Sequence, residues 1–187
     1  MIHLCDKSIV LPLQLIFTNI LHTGTYPLLW KLANVTPVYK KSDKQIVKNY
    51  RPISLLPLCG KIFEKIVFDA LYNHIIRNNL LTRNQSGFRP LDSCPNQLLY
   101  LISEIHEAFE DPKSLEVRAV FLDISKAFDK VWHEGLLFKL KQNGVAGNLL
   151  HFFQSYLSDR HQRVLNGQHS EYAQIESGVP QGSVLGP

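Results

Sequence analysis

One stretch of this sequence puts a carboxylate directly behind an apolar run: Phe121-Leu122-Asp123-Ile124-Ser125-Lys126-Ala127-Phe128-Asp129. Val117 to Leu122 is nearly continuous in apolar and β-branched residues, the pattern of a strand covered on both faces, and Asp123 stands at its end. A carboxylate buried there needs a partner, so Asp123 reads either as a Mg²⁺ ligand or as a cap on the next backbone turn. Asp129, just before Val131-Trp132-His133, reads first as an N-cap or an ion-pair partner of a nearby lysine, with a metal role as the minority reading. Phe128, five residues after Asp123, would either wall a sugar or sit in the core. Two-metal phosphoryl transfer holds its ions about 4 Å apart with several carboxylates, and only one such strand-end site is present.

Two further groups could hold a ligand. Lys40-Lys41 and Arg51 flank a polar stretch, and pairing of their segments would bring cationic heads together. A lysine point charge beside an arginine fork suits a triphosphate; the alternative is a solvated hairpin face. In Gly178-Val179-Pro180-Gln181-Gly182-Ser183 the glycines let backbone approach a ligand and Gln181 offers a donor and an acceptor, though Pro-Gln-Gly is also an ordinary turn. The eight histidines show no zinc-binding spacing, and Ser183 lacks the G-x-S-x-G setting of a hydrolase nucleophile.

The elements that must position these groups follow from periodicity. Ile9, Leu13, Ile16, Phe17, Ile20 and Leu21 mark an amphipathic helix ending near Gly24, with Pro12 near its start. Asn34 to Lys40 and Tyr50 to Leu56 read as two β-rich segments around Lys41 to Asn49, a hairpin with a loose basic loop whose prolines place both strands at an edge. Ile62, Phe63, Ile66, Val67, Ala70, Leu71 and Ile75 mark a helix from about Gly60 to Arg77. Another follows Arg89-Pro90-Leu91-Asp92-Ser93, with Ser93 as N-cap, a stripe of Leu98, Ile102, Ile105 and Phe109, and an end at Asp111-Pro112. Helices are expected from His133 to Gln142 and Asn148 to Leu157, then a hairpin around Asn166-Gly167, then a loop from Ser177 to Pro187. No internal repeat or low-complexity tract is present, and the fold class is α+β.

The 187 residues, 45% apolar and 19% charged, suffice for one globular core and exclude disordered and collagen-like classes. The longest apolar stretch, Ile9 to Phe17, falls short of the roughly 20 residues a bilayer requires, so no membrane span is expected, and no membrane partner is expected either. The N-terminal residues lack the layout of a secretory signal, and an intracellular setting is expected. Cys5, Cys59 and Cys94 are odd in number and widely separated, giving reduced, partly buried thiols and no disulfide partner. The net charge of +4 hides an asymmetry: residues 1–89 carry a net of +8 and residues 90–187 a net of −4. A basic half suits a polyanion and the acidic half could hold cations; ordinary surface variation is the equal alternative.

Taken in order, Thr36-Pro37-Val38-Tyr39-Lys40-Lys41, Asn49 to Leu56, Gln85-Ser86-Gly87-Phe88-Arg89, Phe121 to Asp129 and Ser177 to Pro187 resemble the successive motifs of reverse transcriptases, above all those of non-LTR, jockey-like retrotransposons. The resemblance runs from about Trp30 to the last residue. It implies a right-hand polymerase fold with fingers and a partial palm, Mg²⁺ dependence, and addition of deoxynucleoside triphosphates to a DNA primer on an RNA template. Carried over by position, Asp123 resembles the first catalytic aspartate and Ile124 a residue whose carbonyl reaches the metal. Phe128 resembles the steric gate against ribonucleotides, and Lys40 and Arg51 the grip on the triphosphate. Gln181 and Gly182 resemble the palm loop beside nucleotide and template. Gln85, Phe88 and Arg89 resemble a motif supporting the template path.

The same resemblance implies a division into a helical lead-in, 1–30, and a reverse transcriptase domain, 31–187. The aromatic-x-Asp-Asp hairpin and the thumb of the family have no counterpart here, and no Asp-Asp pair occurs in the sequence. The chain is therefore expected to be a polymerase fragment that does not extend a primer alone. The competing expectation from another class is a non-catalytic nucleic-acid-binding retroelement relic that uses its basic half on backbone phosphates. A phosphotransferase with Asp123 as nucleophile would want a second aspartate where Ser125 stands.

Overall fold

The apolar spacing near the N-terminus folds as helix α1 (Ile2–Thr23), earlier in its start than the spacing indicates, so that Pro12 falls inside it. Pro12 is exposed, and solvent can take the carbonyl that a proline leaves without an N–H. The computed structural model describes residues 2–110 and 116–187, with side chains from Ser8 onward. The chain forms two compact units, Met1–His74 with Lys126–Pro187, and Ile75–Ser125.

The first unit is built on a mixed sheet. Strands β1 (Leu32–Tyr39) and β2 (Tyr50–Leu55) pair antiparallel, with Pro37 facing Pro52 and Val38 facing Arg51. Strand β3 (Arg160–Asn166) runs parallel to β1, from Leu32 beside His161 to Val35 beside Val164. Short strands β4 (Gln168–His169) and β5 (Ala173–Ile175) pair antiparallel with β3 around the expected turn at Asn166-Gly167. The prolines were expected to put both hairpin strands at an edge, and β2 is one. Strand β1 is interior over Leu32–Val35, because Pro37 lies past the stretch paired with β3 and faces another proline, where no ladder N–H is required.

Helices α2 (Leu58–Arg77), α4 (His133–Gln142) and α5 (Gly147–Leu157) form where the three- and four-residue spacing predicts them. Their apolar faces meet α1 in an aromatic core. Phe63 packs against Phe17 at 5.1 Å and Phe152 at 5.5 Å between ring centroids, and Tyr26 against Phe152 at 5.9 Å and Tyr156 at 5.1 Å, mostly tilted or edge-to-face. Ile20, Val67, Val145, Phe153 and Leu157 complete it.

In the second unit, helix α3 (Cys94–Glu110) opens with the Ser93 hydroxyl accepting the Asn96 N–H at 3.3 Å, the expected N-cap. Its stripe is not a buried one, since Leu98, Ile102 and Phe109 are exposed. The expected stop at Asp111-Pro112 lies outside the described residues. Residues 117–122 form no strand, which corrects the reading of a doubly covered one. An apolar β-branched run becomes a strand only when another strand pairs with it, and none of the described strands does so. Phe121 and Leu122 are 81% and 92% exposed, so Asp123 does not emerge from a buried strand. Cys59 is half-buried and Cys94 exposed, both free thiols; the side chain of Cys5 is outside the described set. Among the described residues no helix is long and apolar enough to cross a membrane.

Candidate functional site

The loop from Ser177 to Pro187 lies on two other segments of the first unit. Its first part pairs with the 3₁₀ turn Ala127–Lys130: the Gly178 N–H donates to the Val131 carbonyl at 2.9 Å and the Val179 N–H to the Phe128 carbonyl at 2.7 Å. The Ser177 hydroxyl donates to the Asp129 carbonyl at 3.2 Å, and His133 Nε2 lies 2.7 Å from the Gly178 carbonyl oxygen. Gly178 sits at φ +86°, and a β-carbon there would lie 2.6 Å from the Phe128 oxygen, so no other residue permits this approach.

Its next part caps the free edge of β2. Pro52 and Ser54 point their backbone nitrogens away from β1, and the Ser54 N–H donates to the Gln181 carbonyl at 2.7 Å. Gly182, at φ +115°, lies so close that a β-carbon would stand 2.7 Å from the Ser54 oxygen. A turn closes behind it, with the Ser183 N–H and hydroxyl both donating to the Pro180 carbonyl, at 3.2 and 3.0 Å. The Gln181 side-chain amide makes no hydrogen bond among the described residues, and Gln181 lines a cavity of about 280 Å³ with Ser54, Asp129, Arg160, Gln162 and Ser177.

Lys40 and Arg51 stand on the same face of the hairpin, since Val38 faces Arg51 and Lys40 follows Val38 by two residues. Both are exposed and neither forms an ion pair among the described residues. The loop between them is not loose. Asn49 donates from Nδ2 to the Asp43 carbonyl at 2.7 Å, the Tyr50 hydroxyl to the Lys44 carbonyl at 2.8 Å, and the Tyr39 hydroxyl to the Ser42 carbonyl. The Tyr39 and Tyr50 rings lie 5.6 Å apart, with Lys44 Nζ 5.6 Å from the Tyr39 centroid.

Phe128 is half-buried in the 3₁₀ turn. Asp129 belongs to that turn and is neither the N-cap of α4, a position held by Trp132, nor an ion-pair partner among the described residues; the turn intervenes between it and the helix. Asp123 and Ile124 lie in the second unit, exposed, and the Asp123 carboxylate has no hydrogen bond or ion pair among the described residues. An aspartate oxygen and a backbone carbonyl suit a hard divalent cation in kind but not in number, and among the described residues no three His, Cys, Asp or Glu side chains gather to hold one.

Of the remaining motif, the Arg89 guanidinium donates to the carbonyls of Thr82 and Gln85 at 3.4 and 3.3 Å, and Gln85 Nε2 to the Gly87 carbonyl at 3.2 Å. These two hold their own loop. Phe88, at φ +58°, is 68% exposed.

Three buried charged residues escaped the sequence reading. Glu64 is fully buried on α2, Lys31 is buried before β1, and Arg160 is buried at the start of β3. Arg160 donates from Nη1 to the Tyr156 carbonyl at 2.9 Å and stacks over the Tyr156 ring at 4.9 Å, leaving Nε and Nη2 without a partner among the described residues. Burial, then the Glu64 charge, pushes the phenols of Tyr26 and Tyr156 well above the ordinary tyrosine range. Burial holds the Lys31 ammonium below the ordinary lysine range, against the pull of Asp159. The signal for Glu64 was its place on the stripe of Gly60, Phe63 and Val67, where an acidic residue breaks an otherwise apolar face.

The family model "Reverse transcriptase (RNA-dependent DNA polymerase)" matches residues 38–187. The chain is 40% identical over 177 residues to the RNA-directed DNA polymerase from mobile element jockey of Drosophila melanogaster, covering 94% of this chain and 19% of that protein. It is 36% identical over 188 residues to the jockey polymerase of Drosophila funebris, covering all of this chain and 20% of that one. It is also 36% identical over 180 residues to the probable RNA-directed DNA polymerase from transposon BS of Drosophila melanogaster, covering 95% of this chain and 20% of that protein. The chain thus spans about a fifth of the length of these relatives. A family match over residues 38–187, most of its length, makes this chain a member of the reverse transcriptase family.

Proposed function

We propose that this chain is the part of a jockey-type, non-LTR retrotransposon polymerase that receives the incoming deoxynucleoside triphosphate, formed of fingers and a partial palm. The observation that carries this reading is the bond from the Ser54 N–H to the Gln181 carbonyl. It ties the Gln181-Gly182 loop to the strand that bears Arg51, about 10 Å further along β2. Lys40 and Arg51, on one face and without an ion pair among the described residues, would take the phosphate oxygens, the guanidinium by its fork and the ammonium as a point charge. The Gln181 side-chain amide would meet the nucleotide or the template base beside it. Phe128 would limit the space at the sugar, and Gln85, Phe88 and Arg89 would support the template path.

In the whole polymerase Asp123 and the Ile124 carbonyl would be two of the oxygen donors to a divalent cation, Mg²⁺ in this reading; alone they are too few to complete a site. RNA template and DNA primer are the partners, which places the work inside the cell, in cytoplasm or nucleus. The 187-residue chain is expected not to extend a primer alone, since two-metal transfer needs more carboxylates than gather among its described residues. Residues 1–30 would be a lead-in to the domain beginning at 31.

The test is equilibrium binding of a fluorescent deoxynucleoside triphosphate by the purified chain and by Arg51→Ala. Saturable binding that weakens about tenfold or more in the variant supports the reading. Binding unaffected by Arg51→Ala, or none, refutes it. A second reading, a non-catalytic nucleic-acid-binding relic, is favoured by the +8 charge of residues 1–89; RNA binding with no triphosphate binding would select it.

A further inference from the structure

The only fully buried carboxylate among the described residues belongs to Glu64, on a face of α2 that is otherwise apolar. Its two oxygens divide between two tasks. Oε1 accepts the Tyr26 hydroxyl at 3.2 Å, while Oε2 accepts the backbone N–H of Val184 at 2.7 Å and of Leu185 at 3.3 Å. A carboxylate is costly to bury, and an apolar side chain of similar volume would fill the same space without that cost. What such a side chain could not do is accept two successive N–H groups of a loop 120 residues away. Those groups lie immediately behind Gln181 and Gly182, which are held from the other side by Ser54.

We infer that Glu64 is a positioning residue for the nucleotide-facing loop: anchored by Tyr26, it fixes Val184 and Leu185 so that the Gln181 amide is held beside β2 rather than free to swing. The geometry is a clamp with two jaws, Ser54 on the β2 edge and Glu64 on α2, and the turn from Pro180 to Ser183 is closed between them. Both jaws work on backbone, so they set the loop's path while leaving the Gln181 side chain available. This inference rests on the proposed triphosphate reading for its functional half, but the clamp itself is testable without a nucleotide.

The experiment measures amide hydrogen exchange on the intact 187-residue chain, then deoxynucleoside triphosphate binding. In the unsubstituted chain the Val184 and Leu185 amides are expected to exchange as slowly as Val179, whose N–H is bonded to Phe128. Exchange at the rate of open loop amides would overturn the clamp whether or not any variant folds. In Glu64→Leu combined with Tyr26→Phe, which removes both polar partners together, the two amides are expected to exchange about tenfold faster or more, with the Phe152 and Phe153 amides unchanged. Glu64→Gln, whose carbonyl can still accept, is expected to restore most of the protection. Triphosphate affinity should follow the same order, falling about tenfold in the double variant and recovering in Glu64→Gln. Protection that persists in a folded double variant refutes the clamp. Protection lost while affinity stays unchanged refutes its functional half, and absence of triphosphate binding by the unsubstituted chain refutes the underlying reading while the exchange data still decide the clamp.

Discussion

Gly182 lies against the carbonyl oxygen of Ser54 so closely that a β-carbon would stand 2.7 Å from it, and its φ of +115° is one that L side chains rarely adopt. Strand β2 and the Gln181 loop, distant in sequence, are thus joined at a point only glycine can occupy. Gly182→Ala is expected to cost about 1–3 kcal/mol of stability through backbone strain and displacement of the loop. Gly87→Ala, with nothing within 4 Å of the added carbon, should change stability by less than about 0.5 kcal/mol. Urea unfolding midpoints of the two variants check the contrast.

Stability should reside in the aromatic core and not in the run before Asp123. Phe152 is fully buried and Leu122 is 92% exposed. Phe152→Ala is expected to lose about 3–5 kcal/mol, and Leu122→Ala and Asp123→Asn to stay within about 0.5 kcal/mol of the unsubstituted chain. Denaturant titrations of the three variants test this.

The alkaline limb of stability follows from Tyr26 and Tyr156. Both phenols titrate in the folded chain above the unfolded value of about 10. Their contribution is therefore intact below pH about 10 and is lost as the pH rises past it toward the folded-state values. Unfolding midpoints of the chain should fall above that pH more steeply than those of Tyr26→Phe with Tyr156→Phe, and the two proteins should show no difference in phenolate absorbance while folded.

If the ordered basic loop contacts a nucleic-acid backbone, removing Lys41, Lys44 and Lys48 together should flatten the salt dependence of single-stranded RNA binding. About 0.7 of a unit of log–log slope is expected per lost phosphate contact, so a reduction near 2. The check is a filter-binding series in salt with the parent chain and the triple alanine variant.

Local pattern made α2, α4, α5 and the β1–β2 hairpin legible, because apolar residues at Ile62, Phe63, Ile66 and Val67, and β-branched residues around Pro37 and Pro52, report burial one element at a time. The motifs named Lys40, Arg51, Gln181 and Gly182, and the structure brings the last two onto the strand that carries Arg51. Val117 to Leu122 misled because a continuous apolar run specifies a strand only together with its partner strands. The Ser54–Gln181 bond and the Glu64 clamp join residues more than a hundred positions apart, and nothing in a local window encodes such a meeting. Glu64, Arg160 and Lys31 were missed for a related reason: a charged residue reads as a surface position until the fold closes over it.

On the proposed reading, the β1–β2 hairpin and the loop after Ser177 form one triphosphate-binding surface. The most direct measurement is photolabelling of the chain with a photoreactive deoxynucleoside triphosphate, followed by identification of the labelled peptides. Label on peptides containing Lys40, Arg51 or Gln181, suppressed by unlabelled triphosphate and by Arg51→Ala, is the predicted result. Label confined to the exposed face of α3, or label that unlabelled triphosphate fails to displace, would rule out a triphosphate site there.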